Sequence, residues 1–225
     1  MVMLSERVSA GIGIYTLPEA AKYARISPVT LSRWLKGSTA GERVIPNQNT
    51  DTRIVDFVEF VQALAVRNLR LHYGISLQKI RDAVERAETD YGVRHPFARQ
   101  HTCYVFEHQL WITLEGQTFI QVSGRNHGQS AMTPVIARFL VDVSFDPETG
   151  LANQYKAYER GSHKIVMNPK LRFGEPILDD CGYTPEALFQ AAKTEGSAER
   201  AALIYGVSKE QVDVCIDYFD YLQAA

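Results

Sequence analysis

The decapeptide "SPVTLSRWLK" at 27–36 puts hydroxyls and cations at helical spacing: Thr30, Ser32, Arg33 and Lys36. Arg25 precedes it and Arg43 follows. Guanidinium and ammonium groups neutralise phosphates, and hydroxyls hydrogen-bond to phosphates or base edges. A helix start would add backbone N–H groups and the positive end of the dipole, which suits an anion. Ser27 is the residue type that caps such a start, and Pro28 suits the first helical position. Arg25, Ser27, Thr30, Ser32, Arg33, Lys36 and Arg43 are therefore the candidate DNA-binding residues. Trp34 is expected as a core anchor, because Leu31, Trp34 and Leu35 share one helical face.

Other residue types invite other chemistry. Asp179 and Asp180 are paired carboxylates of the kind metal nucleases use. Adjacent in sequence, they need not converge, and loop acids facing a partner, or simply water, are the stronger expectation. With Arg172 and Glu175 they make up the candidate partner-binding residues. His101, Cys103 and His108 lack the spacing and fourth ligand of a zinc site, so no metal is expected. Gly11 and Gly13 lack the third glycine and preceding strand of a nucleotide loop. No Ser, His and Asp set stands out as a triad. No catalytic residue and no cofactor are assigned. Tyr104, Phe106, Trp111 and Phe119 could line a small-molecule pocket, although core packing is the commoner role of such residues.

Composition narrows the setting. No run of the 225 residues approaches the ~18 apolar positions of a membrane-spanning helix. Residues 1–10 have no apolar core, so no secretory signal is read there. Cys103, Cys181 and Cys215 are odd in number and widely spaced, which argues for a reducing cytoplasm. The net charge of −2 hides a split. Residues 1–100 hold 14 Lys and Arg against 10 Asp and Glu, and residues 101–225 hold 10 against 16. Two halves of opposite sign suit different partners.

The elements that must position these residues follow from caps and periods. Thr16 with Glu19 reads as a capping box opening a first short helix, with Pro18 in its first turn. Ser27 opens the second, and Gly37 stops it. A short strand or hairpin is the most that residues 37–49 suggest. A long helix is expected over about 52–73, ended by Gly74, and another after Ser76 with Leu77, Ile80, Val84 and Ala87 inward. From residue 101 the period changes. "TCYVFEHQLWITLEGQTFIQVSG" reads as two or three short strands, and residues 134–140 stay undecided between strand and helical turn. A hairpin follows, with strand 141–145 and a turn at 146–150. Three short helices close the chain. The last is capped by Ser208 with Gln211 at its third position and carries Val212, Cys215, Ile216 and Phe219 as its apolar stripe.

Two resemblances sharpen this. "YTLPEAAKYARISPVTLSRWLKG" followed by "RIVDFVEFVQALAVRNLRLHYGISLQKIRDAV" resembles the MerR-like winged helix-turn-helix domain over about residues 13–88. Departures from that pattern are Val29, where an Arg often follows the Ser-Pro, the irregular "NQNTDTRIVDF" after the wing, and the lack of a stretch matching the long dimerising coiled-coil helix of MerR regulators. The resemblance thus implies phosphate contacts more than base-specific ones. "IVMNPKLRFGEPILDDCGYTPEALFQAAKTEGSAERAALIYGVSKEQVDVCIDYF", residues 165–219, resembles a small helical domain of bacterial antitoxins encoded beside PIN-like toxins. It departs at Asp179, Asp180 and Cys181, where Gly-Thr-Arg is usual. Together the two look like the longer VapB-type antitoxins.

The expectation is an α+β chain: a winged helix-turn-helix over 1–100, a small β-rich middle and dimerisation segment over 101–164, and a helical antitoxin domain, a three-helix bundle, over 165–225. The resemblance implies a DNA-binding antitoxin that neutralises a PIN-like ribonuclease toxin and represses its own operon. Operator DNA, that toxin and a second copy of the chain are its expected partners, since palindromic half-sites reward two-fold symmetry. No membrane is expected among them. Two alternatives are a MerR-like regulator sensing a small molecule through the middle segment, and a metal-dependent nuclease using Asp179 and Asp180.

Overall fold

The computed structural model describes residues 13–37, 43–45, 54–100, 103–106, 109–114, 118–124, 130–131 and 141–224. The chain is α+β, and its contacts gather into two compact units.

One unit takes in Thr16–Val141 and Phe145–Ala152. Helix α1 (Leu17–Tyr23) starts on the expected capping box: Glu19 N–H donates to Thr16 Oγ1 at 3.4 Å, and Thr16 N–H donates to Glu19 Oε2 at 2.8 Å. Helix α2 (Pro28–Lys36) buries Leu31, Trp34 and Leu35, the apolar face its spacing predicts. After it, the stretch expected to hold a strand or hairpin is described only at 43–45, and there it is a bend. The N–H groups of Val44 and Ile45 both donate to Trp34 O, at 2.8 and 2.9 Å. Both side chains are buried, so the bend closes the end of α2.

Strands β1 (Ile14–Thr16) and β2 (Ile54–Asp56) each run straight into a helix. Helix α3 is Phe57–Leu71, shorter at its start than the expected 52–73. Asp56 fixes that start: it accepts from Glu59 N–H at 2.8 Å, and its own N–H donates to Glu59 Oε2 at 3.0 Å. From Phe57 to Val66 every side chain of α3 is buried, including Glu59 and Gln62. A helix covered all round belongs to the interior of its unit. Gln62 Nε2 meets His95 Nδ1 at 3.2 Å, which satisfies one of those polar groups. Helix α4 (Leu77–Thr89) is capped by Ser76 and buries Ile80, Ala83, Val84 and Ala87. Its Arg86 donates from Nη1 to Val122 O at 3.0 Å. Three of the expected strands follow, β3 (Cys103–Phe106), β4 (Gln109–Leu114) and β5 (Thr118–Gln121), with β6 (Ser130–Ala131) at the edge. They form an antiparallel sheet in chain order. Residues 134–140, left undecided by the sequence, lie outside the described residues.

The other unit takes in the chain up to Tyr15, Asp142–Ser144 and Asn153–Ala225. Its sheet runs in the order β10-β9-β8-β7, from β7 (Val143–Phe145), β8 (Ala152–Arg160), β9 (His163–Met167) and β10 (Ile177–Leu178). The expected hairpin turn at 146–150, whose residues count with the first unit, is present, with Asp146 N–H bonded to Leu151 O at 2.8 Å. Helices α5 (Pro185–Glu195), α6 (Ala198–Tyr205) and α7 (Lys209–Gln223) pack on one another around Ala192, Ala201, Ala202 and Val212. Phe189 stacks on Phe219 at 4.4 Å. The ring of Tyr158 lies 6.0 Å from that of Tyr218 and 5.4 Å from that of Tyr221, which ties β8 to α7. Strands that the sequence places in a middle segment thus share a unit with the C-terminal helices.

Candidate nucleic-acid interface

Helices α1 and α2 meet through residues 24–27, and every amide from Ala24 to Ile26 is satisfied: Ala24 N–H by Ala20 O at 2.9 Å, Arg25 N–H by Lys22 O at 3.1 Å, Ile26 N–H by Ala21 O at 3.0 Å. Arg25 takes the left-handed conformation, φ 54°, at the point where the chain reverses. For a residue with a Cβ this costs about 1 kcal/mol relative to glycine. Arg25→Gly should therefore leave the fold as stable or raise its stability by up to about 1 kcal/mol in denaturant titration. If Arg25 touches phosphate, the same variant should bind DNA more weakly, so the two readouts move in opposite directions.

The start of α2 offers less to an anion than its residue types suggest. Pro28 has no N–H, the N–H of Thr30 is taken by Ser27 Oγ at 3.1 Å, and that of Leu31 by Ser27 O at 3.0 Å. Val29, 60% exposed, supplies the one first-turn N–H without an acceptor among the described residues. The hydroxyls of Ser27 and Thr30 hold each other at 2.8 Å, so Thr30 has a partner within its own helix. Ser32 is half-buried.

What α2 presents outward is charge. Arg33 and Lys36 are exposed, one turn apart, and neither makes an ion pair among the described residues. Arg43 is also exposed, and the hydrogen bonds of Val44 and Ile45 to Trp34 O bring it to the carboxyl end of the helix. The ridge rests on buried Leu31, Trp34 and Leu35, so it is held by packing. Such a surface can neutralise a phosphate backbone.

The four candidate partner-binding residues lie in the other unit as two pairs separated by β10. Arg172 Nε donates to Glu175 Oε2 at 3.2 Å. Asp179 and Asp180 occupy the turn after β10, where Asp179 N–H donates to Lys164 O at 2.9 Å and the Asp180 carboxylate pairs with the His163 ring. Asp180 is thus committed to an imidazole, and Asp179 points into an exposed turn. Burial raises the Cys181 thiol and pushes that of Cys215 up to about 12, which keeps both protonated at neutral pH. Among the described residues no three His, Cys, Asp or Glu side chains gather around a metal position. His101 and His108 lie outside the described residues. Of the aromatic residues considered for a pocket, Trp111 is buried, and the side chains of Tyr104, Phe106 and Phe119 lie outside the description.

Sequence reasoning missed Phe173. It is 75% exposed and sits beside Arg172 in a turn where both residues are left-handed. Neither feature has a local signal in "KLRFGEP" beyond the glycine.

Fold and site together define an α+β chain with a cationic helical ridge in one unit and a loop-bearing helical unit elsewhere. No protein-family profile matches it. Over nearly its whole length it is similar to two proteins of Mycobacterium tuberculosis. One is a candidate antitoxin, VapB45, 22% identical, with 92% of this chain and 93% of that protein covered. The other is Rv2308, uncharacterised and 24% identical, with 91% and 89% covered. Among solved structures, the crystal structure of Rv2018 from the same organism superposes with a TM-score of 0.62 at 19% identity, covering 90% of this chain and 96% of that one. That likeness bears on the fold. No helix among the described residues is long and apolar enough to cross a membrane.

Proposed function

We propose that this chain is the antitoxin of a toxin–antitoxin pair. In this reading it neutralises a PIN-like ribonuclease and represses its own operon by binding operator DNA as a homodimer. Similarity to VapB45 along both units supports the antitoxin role. The observation that carries the DNA side is the ridge of Arg33 and Lys36 on a helix whose opposite face is buried. In this reading α1 and α2 act as a helix-turn-helix, and α2 lies against the major groove with Arg33, Lys36 and Arg43 on the backbone. Val29 and the half-buried Ser32 are the side chains of α2 left to meet base edges. The acidic C-terminal region faces the nuclease, whose RNA-binding surface must carry positive charge.

The test is genetic and biochemical together. The neighbouring gene is expressed from an inducible promoter, alone and with this chain. Growth arrest by the neighbour, relieved by this chain, together with protection of the DNA upstream of the pair from nuclease digestion, is the expected result. Unrelieved arrest removes the antitoxin role, and unprotected upstream DNA removes autorepression.

A further inference from the structure

The segment 168–175 in the C-terminal unit is a surface turn held by several hydrogen bonds. Asn168 holds it from one side, accepting Lys170 N–H on Oδ1 and Leu171 N–H on its backbone oxygen, each at 2.9 Å. Gly174 N–H closes on Leu171 O at 2.9 Å and Glu175 N–H on Arg172 O at 3.1 Å. From the far end of the chain, buried Tyr15 donates its hydroxyl to Gly174 O at 2.8 Å. Within this frame Arg172 (φ 46°) and Phe173 (φ 55°) are both left-handed without being glycine. Each such residue costs on the order of 1 kcal/mol and persists because its surroundings over-determine it. In this turn the phenylalanine ring is 75% exposed, and Leu171, two residues earlier, is 46% exposed.

We infer that Phe173, with Leu171 two residues before it, is the apolar anchor by which this unit docks its protein partner, seating in an apolar socket rimmed by basic side chains. The inference rests on the antitoxin reading and names the residues that do the docking. Exposed aromatic side chains on rigid supports lose little conformational freedom on binding and dominate interface energetics. The basic rim follows from charge: residues 165–225 hold five Lys and Arg against ten Asp and Glu. Glu175, Asp179 and Asp180 are exposed in or near the same loop. Arg172 and Glu175 pair at 3.2 Å and offset each other, and Asp180 pairs with the His163 ring, so Asp179 and the acidic excess of the unit set the sign of the rim. A second exposed apolar pair, Leu203 and Ile204 on α6, lies on a helix face that shows no comparable framework.

The test uses the full chain and the purified product of the neighbouring nuclease gene, with affinity measured by calorimetry. Phe173→Ala should weaken binding at least tenfold with thermal stability unchanged, since the ring packs on little in the free chain. Phe173→Gly should weaken binding as much while raising thermal stability, because it relieves the left-handed backbone. A role confined to holding the loop would move stability and affinity the same way. Binding of Phe173→Ala within threefold of the parent, or loss of binding on Leu203→Ala with Ile204→Ala instead, overturns the inference and leaves the antitoxin reading standing. A parent chain that does not bind the nuclease overturns both.

Discussion

Gly174→Ala should destabilise the C-terminal unit by about 3 kcal/mol, seen as a fall of roughly 12–24 °C in the midpoint of its thermal unfolding. Two costs combine at this residue. Its backbone is left-handed, φ +89°, where alanine is strained. A Cβ built there would also lie 2.3 Å from the Tyr15 hydroxyl oxygen and 3.0 Å from the ring carbon that bears it. The oxygen cannot step aside freely, because it is buried and bonded to the carbonyl of the same glycine. Tyr15→Phe provides the control. Alone it should cost about 1–2 kcal/mol, the loss of a buried hydrogen bond with an acceptor left unsatisfied. In its presence Gly174→Ala should cost about 1 kcal/mol less than in the parent, since the nearest overlapping atom has gone. Strict additivity of the two variants would mean that Tyr15 and Gly174 do not meet in solution.

That pair shows where sequence reading ends. The caps were legible because each is written within four residues. Thr16 with Glu19 and Ser208 with Gln211 form their boxes, and Ser27 caps ahead of Pro28. The box at Asp56 and Glu59 was equally local, yet the apolar period running back through Ile54 drew the expected start of α3 several residues early. Periodicity marks a buried face and is silent about where a strand ends and a helix begins on it. Burial of Leu31, Trp34 and Leu35 followed from spacing alone. What Ser27 does to Thr30 did not, because a hydroxyl can serve its own helix or a ligand and the sequence is the same in both cases. The left-handed turn at Arg172 and Phe173 was invisible for a different reason. Part of its frame comes from a residue 159 positions away. The joining of β8 to α7 through Tyr158, Tyr218 and Tyr221 is likewise a contact between distant stretches, each of which reads locally as an ordinary strand or helix.

The ridge on α2 yields a prediction of comparable size. Arg33→Ala combined with Lys36→Ala should reduce affinity for the upstream DNA roughly 30-fold at 0.15 M salt, for two phosphate contacts of about 1 kcal/mol each. More telling is the slope of log K against log salt, which should become shallower by about 1.8, or 0.9 for each neutralised phosphate. Both side chains are exposed, so the fold should keep its stability to within about 0.5 kcal/mol. Thr30→Val separates charge from hydrogen bonding. It removes a hydroxyl engaged with Ser27 and no charge, so the salt slope should stay as it was. Placement of α2 against a groove requires the double variant to change the slope and the Thr30 variant to leave it alone. A double variant that binds as tightly as the parent, with the same slope, would mean that these two cations face water in the complex, and the DNA-contacting surface would then have to be sought on another part of the chain.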